Sequence, residues 1–79
     1  MGEREMVDKL LEFDPLKVRR DEAIVSWKLI AAELGVSEDS VQRRCRELGI
    51  KLPRWGPRPT SPVFLPRGRI VILRTLYFA

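Results

Sequence analysis

Histidine is absent from the chain and cysteine occurs once. One cysteine closes no intrachain disulfide. Without histidine, neither a Ser-His or Cys-His nucleophile pair nor a Cys/His zinc cluster can be assembled. Long apolar runs are also missing. None is longer than runs such as Ile70 to Leu73 and Leu76 to Ala79, far short of the ~20 residues a bilayer span requires. No P-loop, dinucleotide fingerprint or metal-ligand spacing occurs. The start, Met-Gly-Glu-Arg-Glu, lacks the basic and apolar regions of a signal peptide, and Met6 breaks the myristoylation pattern. These absences lead us to expect a cytoplasmic, reducing location, with no membrane partner, no metal and no cofactor. The 79 residues suit one domain. A chain this short buries roughly 60% of its unfolded surface and has little room for a catalytic cleft. A binding module, not an enzyme, is the expectation.

Acid is scarce in one half only. Residues 40–79 hold nine bases against a single acid, Glu47, for a net +8, whereas residues 1–39 hold six bases against ten acids, for a net −4. This polarity suits a chain that turns one face to a polyanion and another to something else; a solvated basic tail is the plainer alternative. Glu3, Glu5, Asp8 and Glu12 read as the solvated side of a helix rather than as paired catalytic carboxylates.

Apolar periodicity supplies the elements. Met6, Leu10 and Phe13 predict a helix over residues 3–13, stopped at Asp14-Pro15. Residues 14–25 leave two readings open: a short turn capped by Asp14, or an extended piece over Leu16 to Arg19. Ser26 is an N-cap for a helix carrying Trp27, Ile30, Ala31 and Leu34 on one stripe, although Ala23 and Ile24 extend that stripe back toward Glu22. Gly35 ends it. Ser37 caps the next helix, with Glu38 and Asp39 in its first turn, Val41, Cys45 and Leu48 as its buried stripe, and Gly49 as its stop. Residues 51–62, with four prolines, admit no helix. In the tail from Val63 to Ala79, Val63-Phe64-Leu65 and Ile70 to Leu73 flank a turn-like Pro66-Arg67-Gly68-Arg69. A hairpin is the preferred reading there, against a helix that starts at Pro66. The chain divides into a helical part, 1–50, a Pro/Arg-rich arm or wing loop, 51–62, and a C-terminal β-element, 63–79.

The residues Ile30-Ala31, Leu34, Gly35-Val36-Ser37 and Val41 carry a pattern that resembles the helix-turn-helix DNA-binding motif. A small residue lets the second helix cross closely, a glycine turns the chain, and apolar residues pin the second helix so that its outer face stays free. The stretch is similar to homeodomain-like units of recombinases, transposases and phage packaging subunits, and to winged relatives in MerR-type regulators and excisionases. It covers about 25 residues. Cys45 stands where such motifs commonly have leucine, so looser packing is expected there. The resemblance implies a mainly α fold: a three-helix helix-turn-helix core with a C-terminal β-hairpin or wing. It also implies double-stranded DNA as partner, bound by a small regulator or a mobile-element or viral accessory factor acting as a homodimer. The acidic first helix and the apolar tail are the available protein-contact surfaces. Two rivals are the DNA-targeting module of a larger recombinase-type enzyme and a protein-interaction module. A helix corner of the same spacing that binds nothing is the bland alternative.

On the resemblance, Ser37, Gln42, Arg43 and Arg46 point toward the major groove. Gln42 matches adenine, and Arg43 or Arg46 matches guanine, through paired donors and acceptors. Glu38 and Asp39 are better read as helix caps than as partners of cytosine. Ser40, Arg44 and Lys28 suit phosphates. Arg54 and Arg58 sit in PRWGPRPTSP, which is similar to the minor-groove arms of AT-hooks and recombinases, though its order is Gly-Pro-Arg-Pro. Three readings stand here: an arm, an inert linker, or a wing in which Lys51 to Trp55 pair with Val63 to Leu65. Trp55, alone in its stretch, reads as a packing residue rather than a stacking platform.

Overall fold

A computed structural model describes residues 2–79. Four α-helices are present among these residues: α1 (Glu3–Leu11), α2 (Trp27–Leu34), α3 (Glu38–Leu48) and α4 (Ile70–Tyr77). A two-stranded antiparallel sheet pairs β1 (Ala23–Ile24) with β2 (Leu65–Pro66), with Ala23 opposite Pro66 and Ile24 opposite Leu65. The architecture is mainly α with this small sheet.

The connection between α2 and α3 follows from local chemistry. Ser26 Oγ accepts from Leu29 N–H at 3.2 Å, and Ser37 Oγ accepts from Ser40 N–H at 3.3 Å, each filling an N-terminal donor that the helix leaves unpaired. Gly35 and Gly49 both take φ 74°. At the first, Gly35 N–H bonds to Ala32 C=O and Val36 N–H to Ala31 C=O; at the second, Gly49 bonds to Arg46 and Ile50 to Cys45. Each is a Schellman closure, which a glycine enters without a Cβ penalty. The residues that follow, Val36 and Ile50, turn inward toward Ala31 and Cys45 and extend the core.

The helix at the N-terminus ends earlier than its apolar spacing predicts. Glu12 leaves the helix at ψ 78°, and Phe13 instead meets Phe64 edge-on at 5.6 Å. Asp14 then forms a turn about Pro15: its carbonyl accepts from Lys17 N–H and its Oδ1 from Leu16 N–H, both at 3.0 Å. Ala23 and Ile24 do not extend α2 backwards. They are buried in β1, where pairing with β2 uses their backbone groups.

The C-terminal segment corrects the expectation of a β-hairpin over 63–79. Only Leu65–Pro66 is strand; residues 67–69 form a 3-10 turn, and Ile70–Tyr77 is helix. Leu73 and Leu76 are 1% and 0% exposed, with Ile70 and Tyr77 packed beside them. Their spacing of three and four residues lines one helical face. A strand would have alternated these side chains between core and water and left an unpaired edge. Burial of one face outweighs the few tenths of a kcal/mol by which each β-branched residue disfavours helix. One face of α4 packs against α1, α2 and α3, and the other is exposed. The core draws on Leu10 of α1, Ile30 and Leu34 of α2, Val41 and Cys45 of α3, Val63, and Leu73 and Leu76 of α4. It thus spans all the helices and both sides of the proline-rich stretch.

Candidate nucleic-acid interface

Helix α3 turns Val41 and Cys45 into the core and leaves Glu38, Asp39, Arg43, Arg46 and Glu47 exposed. Cys45 is well buried despite its small volume, and burial pushes its thiol up to about 11, so it stays protonated at neutral pH. The remaining polar residues of the helix differ in what they touch. Ser37 and Ser40 bond to each other, hydroxyl to hydroxyl, at 2.8 Å. Arg44 lies 3.4 Å from the Glu47 carboxylate one turn on. Among the described residues, Arg43 and Arg46 form no ion pair and no side-chain hydrogen bond.

A narrow hairpin stands beside the C-terminal end of α3. Arg54 bridges to Val63 in antiparallel register; Trp55 N–H bonds to Pro62 C=O at 2.8 Å and Phe64 N–H to Pro53 C=O at 2.7 Å. The Arg54 guanidinium donates to Ser61 C=O at 2.9 Å, tying the two arms. Trp55 packs edge-on against Phe64 at 4.7 Å, and the Arg20 guanidinium lies 4.9 Å above the Trp55 ring. Through Phe64 and Phe13 the hairpin is therefore anchored to the body of the protein, and Trp55 is a packing residue. Arg58 is exposed in the loop.

Between α3 and this hairpin runs an open cleft of about 580 Å³. Trp27, Leu52 and Val63 form part of its apolar lining, and Gln42, Arg46, Lys51 and Arg54 contribute the polar and charged lining. The other flank of α3 carries a shallower depression lined by Ser40, Arg43, Arg44, Glu47 and Tyr77. Of the residues singled out from sequence, Gln42, Arg46 and Arg54 thus come together on one side of α3, and Ser40, Arg43 and Arg44 on the other. Ser37 caps α3. Lys28, exposed on α2, and Arg58, exposed in the hairpin loop, line neither hollow.

Lys51 was not among those residues. Its signal lies in the alternation after Gly49: Ile50 is buried, Lys51 exposed, Leu52 buried, Arg54 exposed. Over Ile50 to Leu52 that period of two marks an extended segment with Lys51 on its outer side. Comparison of the chain with protein-family models, curated proteins and solved structures finds no match.

The other basic residues of this half have structural partners. Arg69 donates to Glu12 C=O and Arg74 to Glu33 C=O, both at 2.7 Å, and Arg67 lies 3.8 Å from the Glu33 carboxylate. They place positive charge on the C-terminal ends of α1 and α2, where carbonyls lack intrahelical donors. Among the described residues no group of three potential metal ligands comes together, and no helix is long and apolar enough to cross a membrane.

Proposed function

We propose that the chain binds double-stranded DNA, with α3 as the recognition helix of a helix-turn-helix unit and the 53–64 hairpin as its wing. The observation that carries the proposal is the unpaired Arg43 and Arg46 on the solvent side of α3, opposite Val41 and Cys45, next to a hairpin bearing Arg54 and Arg58. A helix with its side chains is ~10–12 Å across, and the major groove is ~12 Å wide. Arg43 offers a guanine edge the paired donors it accepts; Lys28, Ser37 and Arg58 are placed on exposed surface for phosphates. On this reading the protein is a binding module rather than an enzyme. It serves as a small transcription regulator or as an accessory factor of a mobile element or virus, alone or as the targeting part of a recombinase-type enzyme.

Anisotropy titration of labelled duplex DNA over a range of salt tests the reading. Neutralising ~4–6 phosphates gives a log–log slope near −4 to −5. Binding that is flat in salt, or absent at low salt, would overturn it. One observation favours a protein contact as well: Val71 on α4 and Phe78, the residue that follows the helix, are 65% and 61% exposed. This is apolar surface suited to a second copy of the chain, which matches the two-fold dimers in which single recognition helices reach useful specificity.

A further inference from the structure

The two flanks of α3 are chemically unequal. The cleft on the hairpin side is lined by three cations, Arg46, Lys51 and Arg54, and by no carboxylate. The depression on the α4 side contains Glu47, which lies against Arg44, while Ser40 is bonded to Ser37. On that side two of the polar groups suited to a phosphate are already engaged, and a carboxylate repels it.

We infer that one strand of the duplex lays its phosphodiester backbone in the cleft between α3 and the hairpin, held by Arg46 and Lys51 with Arg54 behind them. This rests on the DNA-binding reading and changes the role of one residue within it: Arg46 grips backbone, and base reading passes to Arg43. Three physical features converge on this assignment. The apolar lining of Trp27, Leu52 and Val63 lowers the local dielectric, so the cations act more strongly on an anion than they would on an open surface. The end of α3 would ordinarily oppose an anion through its dipole. Here Gly49 and Ile50 turn their N–H groups back onto the carbonyls of Arg46 and Cys45, and Arg46 and Lys51 bracket the turn. The walls are also preset. The Schellman closure fixes one, and the Trp55–Phe64–Phe13 contacts fix the other, so little order has to be imposed on binding. Arg54 is partly committed to Ser61 C=O, so Arg46 and Lys51 are the cleaner probes.

The test measures salt slope and base preference separately. Arg46→Gln and Lys51→Gln are each expected to flatten the log–log salt slope by about 0.9 and to weaken binding to all duplexes alike. The preference selected from a random duplex pool should be unchanged. Arg46→Lys should restore the slope, since a phosphate accepts either cation while a bidentate guanine contact does not. Circular dichroism melting of each variant, matching the parent, excludes unfolding as the cause. An Arg46→Gln protein that keeps its slope but loses preference at one base pair overturns the cleft assignment and leaves the DNA reading standing. A parent chain that fails to bind duplex DNA at low salt overturns both.

Discussion

Arg69 and Arg74 each aim a guanidinium at a backbone carbonyl near the end of another helix, while Arg43 and Arg46 of α3 form no ion pair and no side-chain hydrogen bond among the described residues. The two groups contribute alike to the basic excess of residues 40–79, yet one is tied to other helices by hydrogen bonds and the other is not. Arg67, which reaches Glu33, and Arg44, which reaches Glu47, belong with the first group. Arg43, Arg46, Lys51 and Arg58 belong with the second. Net charge therefore does not tell which cations have side chains free of intramolecular bonds. Among the described residues of 40–79, the cations without such a partner are Arg43 and Arg46 on α3, Lys51 just after it and Arg58 in the hairpin loop.

Several substitutions break or sharpen this contrast. The largest effect is expected from Leu73→Ala in α4, whose side chain is fully enclosed; a loss of ~2–5 kcal/mol in urea denaturation follows from cavity formation. Because α4 packs on α1, α2 and α3, the loss should appear as one cooperative transition in both tryptophan fluorescence and far-UV dichroism. Unfolding of the tail alone, with α2 and α3 intact, would contradict the shared core. Next comes Arg43→Ala, expected to cost ~1–3 kcal/mol of binding on a preferred site and to relax one base pair, with folding stability unchanged. Equal binding by the parent and this variant would remove Arg43 from the reading face.

Removal of the α3 cap by Ser37→Ala should lower stability by ~1 kcal/mol, read as a shift in denaturation midpoint. Arg74→Ala is the mirror image of Arg43→Ala. It loses one bond to an exposed carbonyl, for ~0.5–1.5 kcal/mol of stability, and leaves DNA affinity as it was. A finer probe is pH. Burial raises the Cys45 thiol from 9.0 to about 11 in the folded chain. Below pH 9 the thiol is protonated in both states, so its contribution to stability is fully present; above that, the unfolded chain ionises first. Stability is lost as pH rises from 9 to about 11, and a Cys45→Ala variant should lack that component of the decline.

Much of the central stretch was legible along the chain. Ser26, Gly35, Ser37 and Gly49 mark helix ends by chemistry that acts within a few residues, and Ile30, Ala31, Leu34, Val41 and Cys45 sit on the buried faces their spacing assigns. The tail was misjudged because Ile70-Val71-Ile72 favours strand locally, whereas the fate of Leu73 and Leu76 depends on α1, α2 and α3 being there to cover them. The proline-rich stretch leaves arm, wing and linker open on sequence alone, and Lys51 stands out only once folding brings it to line the same cleft as Arg46.

By itself, then, the sequence determined the local grammar: where α2 and α3 begin and end, which of their faces is apolar, and that base greatly exceeds acid after residue 39. These follow from caps, positive-φ glycines and side-chain periodicity, all of them short-range. Only the tertiary structure decided that the tail is a helix, that Arg54 pairs with Val63 to raise a hairpin beside α3, and which arginines are engaged by other segments of the fold. Those outcomes hang on contacts between segments far apart in the chain. Arg69 finds Glu12, and Arg74 finds Glu33, only once the core has brought the helix ends within reach.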